Sequence, residues 1–172
     1  MVSEDIRARV TSYIRHQAQK PNGELVALID ESQQRLLGVL ASVDDATSRR
    51  APAGDGEWCL RDLVRHVIDA EDLVVALIAA TQRGEAPARR GGIGSMIDDD
   101  GRPWAALLDD LRATNARMLD ATRGLPAAAP DGAAKHPFFG ELDCREWAAF
   151  QRVHDADHIQ HAQRILDSVR GA

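Results

Sequence analysis

The chain has 172 residues, 44% of them hydrophobic, 28% charged and 4% aromatic, with a formal net charge of −6. That length suffices for one domain with a sizeable core, and the composition excludes a disordered chain. Arg49-Arg50 and Arg89-Arg90 are isolated basic pairs without a basic stripe, so nucleic acid is not an expected partner.

No run approaches the ~18 apolar residues of a membrane span, and the opening MVSEDIRARV lacks an apolar signal core. No membrane partner is expected, and the cytoplasm is the expected location. Cys59 and Cys144 lie far apart and match no CxxC pattern, which supports neither a disulfide framework nor a cysteine zinc site.

Residues 3–20 place Ile6, Val10, Tyr13 and Ile14 at helical spacing, with Ser3 as cap; Pro21-Asn22-Gly23 breaks this short helix. Residues 24–43 carry one apolar stripe through Leu25, Leu28, Ile29, Leu36, Val39, Leu40 and Val43, with Asn22 as candidate cap. Residues 44–57 read as a loop. Residues 59–82 form the second long helix, and His66 lies on its stripe through Leu63, Ala70, Leu73 and Leu77. Arg83 to Arg102, with Gly91, Gly92 and Gly94, reads as a crossover loop. Pro103 suits the first turn of a third long helix, with Trp104, Leu107, Leu108, Leu111, Met118 and Leu119 on its stripe, ending near Gly124. Residues 125–142 form another loop. Asp143 then caps the last helix, with Glu146 as its capping-box partner, and Trp147, Phe150, His154, His158, His161 and Ile165 share one broad face. No segment alternates with period two, so no sheet is expected. The expectation is an all-α chain: one domain over 1–172, a four-helix bundle with two long connections, preceded by a short N-terminal helix and linker over 1–22.

His154 and His158 stand one helical turn apart, so their rings leave the same face, as two ligands of a transition metal would. The string His154-Asp155-Ala156-Asp157-His158 has the zincin spacing with Asp where the general-base Glu belongs. Each histidine alone reads as well as a satisfied core residue. In a bundle, however, a residue of the second long helix can face residues of the fourth, and His66 then joins His154 and His158. Three buried imidazoles without a metal would each need a hydrogen-bond partner. Three histidines on a divalent ion leave a coordination position open, the catalytic pattern rather than the closed structural one. Zinc, nickel and iron all accept imidazole. A di-iron bundle would need Glu-x-x-His pairs, which are absent; a zincin protease would need the missing Glu.

Glu57-Trp58 precedes His66; His136-Pro137-Phe138-Phe139-Gly140 leads to Glu146-Trp147; Phe150 precedes His154 and His158. The order and spacing of these pieces resemble the DinB-like superfamily of metal-binding four-helix bundles. The resemblance spans about Leu25 to Ile165. It implies a divalent metal on His66, His154 and His158, and it implies dimers. Among similar proteins, some are thiol transferases using bacillithiol, mycothiol or glutathione, and related ones isomerise maleylpyruvate with a thiol cofactor. Two positions depart from the pattern: Cys59 where a capping Ser is usual, and His161 where Gln is usual.

The remaining site residues carry two or more readings each. His161 is a fourth ligand, a base or pocket-lining residue beside the ligands, or core. Trp58 and Trp147 are core anchors or substrate platforms. Asp69, one turn from His66, is a solvated carboxylate or a group that orients the imidazole. Asp155 and Asp157 are expected to point away from the core. His136 is a loop residue or part of a pocket mouth. The expected function is a metal-dependent enzyme acting on a small-molecule substrate, with transfer of a low-molecular-weight thiol to an electrophile foremost. The alternatives are metal-water hydrolysis and a non-catalytic metal-binding or stress-response bundle.

Overall fold

The apolar stripes become helices because every third or fourth residue must leave water together. The computed structural model describes residues 4–54, 56–86 and 101–171. Its elements in chain order are α1 (Glu4–Ala18), α2 (Asn22–Leu40), α3 (Asp45–Ser48), α4 (Leu60–Gln82), α5 (Trp104–Arg123), β1 (Ala134–His136), β2 (Gly140–Leu142) and α6 (Cys144–Arg170). α2, α4, α5 and α6 form the four-helix bundle. α4 packs against α5 and α6, and α2 packs against the same two, so α2 and α4 sit on one diagonal and α5 and α6 on the other. α1 lies outside the bundle against α6. No helix among the described residues is long and apolar enough to cross a membrane.

The core has two apolar lobes. One gathers Leu25, Ile29, Val74, Ile78, Met118 and Ala148; the other gathers Leu36, Leu40, Leu63, Val64, Leu111 and Ile165. Fully burying each large aliphatic side chain contributes about 1.5–3 kcal/mol. Between the lobes, on every bundle helix, comes a polar waist: Ser32 and Gln33 on α2, Glu71 on α4, Thr114 and Asn115 on α5, Gln151 and Asp155 on α6, all buried.

Four local expectations are corrected. Asn22 does not cap α2; Pro21 precedes the helix, and the Asn22 amide donates to the carbonyls of Arg123 (3.2 Å) and Leu125 (2.7 Å). The loop over 44–57 contains the single turn α3, capped by Asp44, whose carboxylate accepts from the Thr47 N–H at 2.7 Å. The loop over 125–142 contains an antiparallel hairpin, β1 with β2, in the register Ala134↔Leu142 and His136↔Gly140. Gly140 closes its turn at φ +81°, a left-handed conformation that glycine adopts without a Cβ clash. The fourth, Asp155, belongs to the site below. The expected Ser3 cap and residues 87–100 of the crossover loop, with Arg89, Arg90 and the glycines, lie outside the described residues.

The last helix is anchored at its start. Asp143 accepts from the backbone N–H groups of Arg145 (2.8 Å) and Glu146 (2.9 Å), and Glu146 accepts in return from the Asp143 N–H (3.1 Å). The buried guanidinium of Arg145 donates to the carbonyls of Ala18 (2.8 Å), Lys20 (2.6 Å) and Pro126 (2.7 Å), and to Asn22 Oδ1 (2.8 Å). It thereby satisfies the carbonyl end of α1 and ties α1 to α6.

Candidate metal centre

His66 leaves α4, and His154 and His158 leave α6, at the level of the waist but on the side facing α1. One nitrogen from each ring comes together, all three within 4.8 Å of one another. His154 Nε2 and His158 Nε2 are 3.1 Å apart. His66 meets both rings, with centroids 5.5 Å from His154 and 4.9 Å from His158.

All three imidazoles are held neutral. Burial, then the neighbouring histidines, pushes His154 well below the ordinary imidazole range. Burial, then His66 and His161, pushes His158 down to about 3. Burial, then His161, lowers His66. A neutral imidazole is the form that ligates a metal. Bonds of about 2.0–2.1 Å in a tetrahedron separate ligand nitrogens by about 3.3 Å, close to the His154–His158 spacing. The donor set therefore fits a divalent ion. The Nδ1 atoms of His154 and His158 are buried and have no partner among the described residues. Ring packing, rather than an outer hydrogen bond, sets their orientation: Phe150 lies 5.8 Å from His154, and His154 and His158 meet edge-on at 4.3 Å.

A cavity of about 360 Å³ reaches the three rings from the α1 side. Its walls include Val10 of α1, Leu73 and Val74 of α4, Phe139 of the hairpin, and Trp147 and Phe150 of α6. Ile6 and Phe138, both about half exposed, stand at its mouth. The mixed origin of these walls explains why no local motif announces the cavity.

His161 is not part of the cluster. It stacks on Trp58, with centroids 5.7 Å apart and planes at 27°, and Trp58 in turn tilts onto His66 at 5.0 Å. Neither residue lines the cavity, so this stack covers the histidines from outside it. Trp147 is a core residue that also lines the cavity. Asp69 is exposed; burial and Asp72 raise its carboxyl, and among the described residues it makes no hydrogen bond to His66. His136 is not a loop residue but ends β1, buried, where its Nδ1 accepts from the N–H groups of Phe138 (3.1 Å) and Phe139 (3.2 Å). It also lines the cavity. Asp157 is exposed and reaches the same cavity.

Asp155 reverses the expectation. It is 1% exposed, and accepts from Ser32 Oγ (2.6 Å) and Gln151 Nε2 (2.7 Å). One residue on from His154, it is rotated about 100° around α6 and enters the waist. Burial raises its carboxyl to about 7. Glu71 is a second waist carboxyl, absent from the sequence expectations. It accepts from Gln33 Nε2 at 2.6 Å, and the Asn115 amide nitrogen, turned toward it, lies 2.9 Å from its other oxygen. Burial and then Asp155 raise Glu71 to about 8. Cys59 precedes α4, and its backbone N–H and thiol both lie 3.0 Å from Asp62 Oδ2, which closes a capping box between Cys59 and Asp62.

The fold and this cluster define a four-helix bundle with a three-histidine centre. The sequence model of the DinB superfamily matches residues 28–162, and the chain belongs to that superfamily. No curated protein matches. Among solved structures, the four-helix bundle protein TT2238 is similar at 23% identity and a TM-score of 0.64, over 84% of this chain and 99% of that one. YfiT from Bacillus subtilis, described as a probable metal-dependent hydrolase with an unusual four-helix bundle topology, is similar at 17% identity and a TM-score of 0.68, over 96% of this chain and 88% of that one. At these identities the likeness is one of fold.

Proposed function

We propose that this chain is a divalent-metal-dependent enzyme acting on a small molecule, with His66, His154 and His158 as the protein ligands and thiol transfer to an electrophile as the reaction. The observation that carries the reading is the convergence of three neutral imidazoles at the end of a cavity, with His161 outside the cluster. A divalent ion with open positions lowers the pKa of a bound thiol or water. The chain's residues supply the rest. His66, His154 and His158 leave the ion's charge uncompensated, because all three are neutral. Trp58 and His161 cover the far side. Phe139, Phe150 and Val153 exclude water, so a thiolate meets an electrophile rather than solvent. The thiol loses its proton to water at the open side of the cavity before the electrophile enters; its sulfur then bonds to the electrophilic carbon, and the leaving group takes the bonding pair.

A second reading, hydrolysis by metal-activated water, has the description of YfiT in its favour. The small-molecule substrate, the choice among zinc, nickel and iron, and a homodimeric state belong to the same proposal. Metal would be quantified in wild type and in His158→Ala, and loss of thiol followed with 1-chloro-2,4-dinitrobenzene and several low-molecular-weight thiols, alongside hydrolysis of small esters and amides. Metal-dependent thiol loss only in wild type is the expected result. Metal-dependent hydrolysis instead selects the second reading. Metal uptake without turnover across both panels favours a non-catalytic bundle, and equal metal in both proteins removes the ligand set.

A further inference from the structure

Two hollows adjoin at the hairpin. The first is the cavity over the histidines, with walls of Val10, Leu73, Val74, Phe139, Phe150 and Val153. The second is a groove of about 610 Å³ between α1 and the hairpin, lined by Arg7, Arg15 and Lys135, with Glu4 as its single acid among the described residues. Arg7, His136, Phe138 and Phe139 line both, so one ligand can occupy the two together. Three cations against one acid line the groove of a chain of net charge −6, with Glu141 opposite Lys135 across the hairpin and Asp157 lining the adjoining cavity. Arg15 already lies 3.4 Å from Glu146. Arg7 and Lys135, both exposed, have no ion pair among the described residues.

We infer that this double site binds an amphipathic organic anion, with an apolar body in the cavity over the histidines and a carboxylate or sulfonate in the groove at Arg7 and Lys135. The cavity's roughly 360 Å³ is more than twice the ~150 Å³ that accommodates benzene in an apolar site, so a fused ring or a ring with a chain fits. The groove wets the charged end, where an anion keeps part of its hydration and gains the two cations. α1 lies outside residues 28–162, so a segment beyond the family match helps to select the ligand. The inference rests on the proposed function only for which end of the ligand faces the reactive centre.

The test is calorimetric titration of the zinc-loaded protein with 2-naphthylacetate and with its neutral counterpart 2-naphthaleneethanol. Wild type, the double variant Arg7→Gln/Lys135→Gln, and Phe138→Ala are compared, with folding checked by circular dichroism. All three substituted residues are exposed, so the fold is expected to persist. Wild type is expected to bind one acid per chain about tenfold more tightly than the alcohol, with added salt weakening the acid alone. The double variant should bring the two ligands to within about twofold of each other. Phe138→Ala should weaken both and leave their ratio unchanged. Equal affinity of acid and alcohol in wild type, no saturable acid binding, or an unchanged ratio in the double variant overturns the inference. Acid binding that persists without turnover supports this site and counts against the enzymatic reading alone.

Discussion

Replacing Glu71 with glutamine removes one of the two carboxyls of the polar waist and leaves Asp155 in place. Glu71 is fully buried, and its carboxyl is raised to about 8 from an ordinary value of 4.5. Between these values the folded chain holds a proton that the unfolded chain has released. Native proton binding exceeds unfolded proton binding there, so the Glu71 contribution to stability declines as pH rises. Each pH unit costs about 1.4 kcal/mol for a group fully in that window, so wild type loses on the order of 3 kcal/mol from this source between pH 5 and 8. The depressed histidines contribute with the opposite sign below their unfolded value of 6.5. They are common to both proteins and cancel in the difference. In the Glu71→Gln variant the carboxamide keeps the shape of the neutral acid, and its NH2 finds an acceptor once the Asn115 amide turns its oxygen inward. Urea unfolding of both proteins with EDTA present, at pH 5, 6, 7 and 8, should show near-equal stability at pH 5. The variant's advantage should then grow by roughly 1 kcal/mol per unit. An advantage that does not change with pH refutes a buried, proton-retaining carboxyl in the waist.

Arg145→Ala leaves three carbonyls and Asn22 without their charged donor and should destabilise by about 3 kcal/mol or more in denaturant unfolding, with Arg145→Lys in between; a loss under about 1 kcal/mol contradicts the clamp. His161→Ala should keep one metal per chain by elemental analysis, because His161 stacks on Trp58 outside the cluster. Metal loss there would make it a ligand. Leu63→Ala, at a fully buried position, should cost about 2–5 kcal/mol in the same unfolding assay.

The four bundle helices are legible in the sequence because their stripes are long and repeat at 3.6 residues, and α6 because Asp143 and Glu146 announce its start. The convergence of His154 with His158 is readable from one-turn spacing; that of His66 needs the bundle as well. The hairpin is hidden because three-residue strands are too short to display alternation, and its turn is held by the His136 ring rather than by a familiar turn pair. Asp155 defeats the expectation that charges turn outward. Yet Ala148, Gln151, Asp155 and Ala162 fall on one inward stripe, just as Glu71 falls between Val67 and Val74 on α4. A carboxylate inside an apolar stripe is the available signal. The cavity is illegible for another reason: α1, α4, the hairpin and α6 each contribute one wall, and only their packing brings the walls together.

The central claim is an open three-histidine centre, and X-ray absorption on the zinc-loaded protein tests it most directly. The expected spectrum contains three imidazoles at about 2.0–2.1 Å and one further oxygen. A low-molecular-weight thiol should replace that oxygen with sulfur at about 2.3 Å. A shell of four imidazoles unchanged by thiol, or one without histidine, contradicts the account.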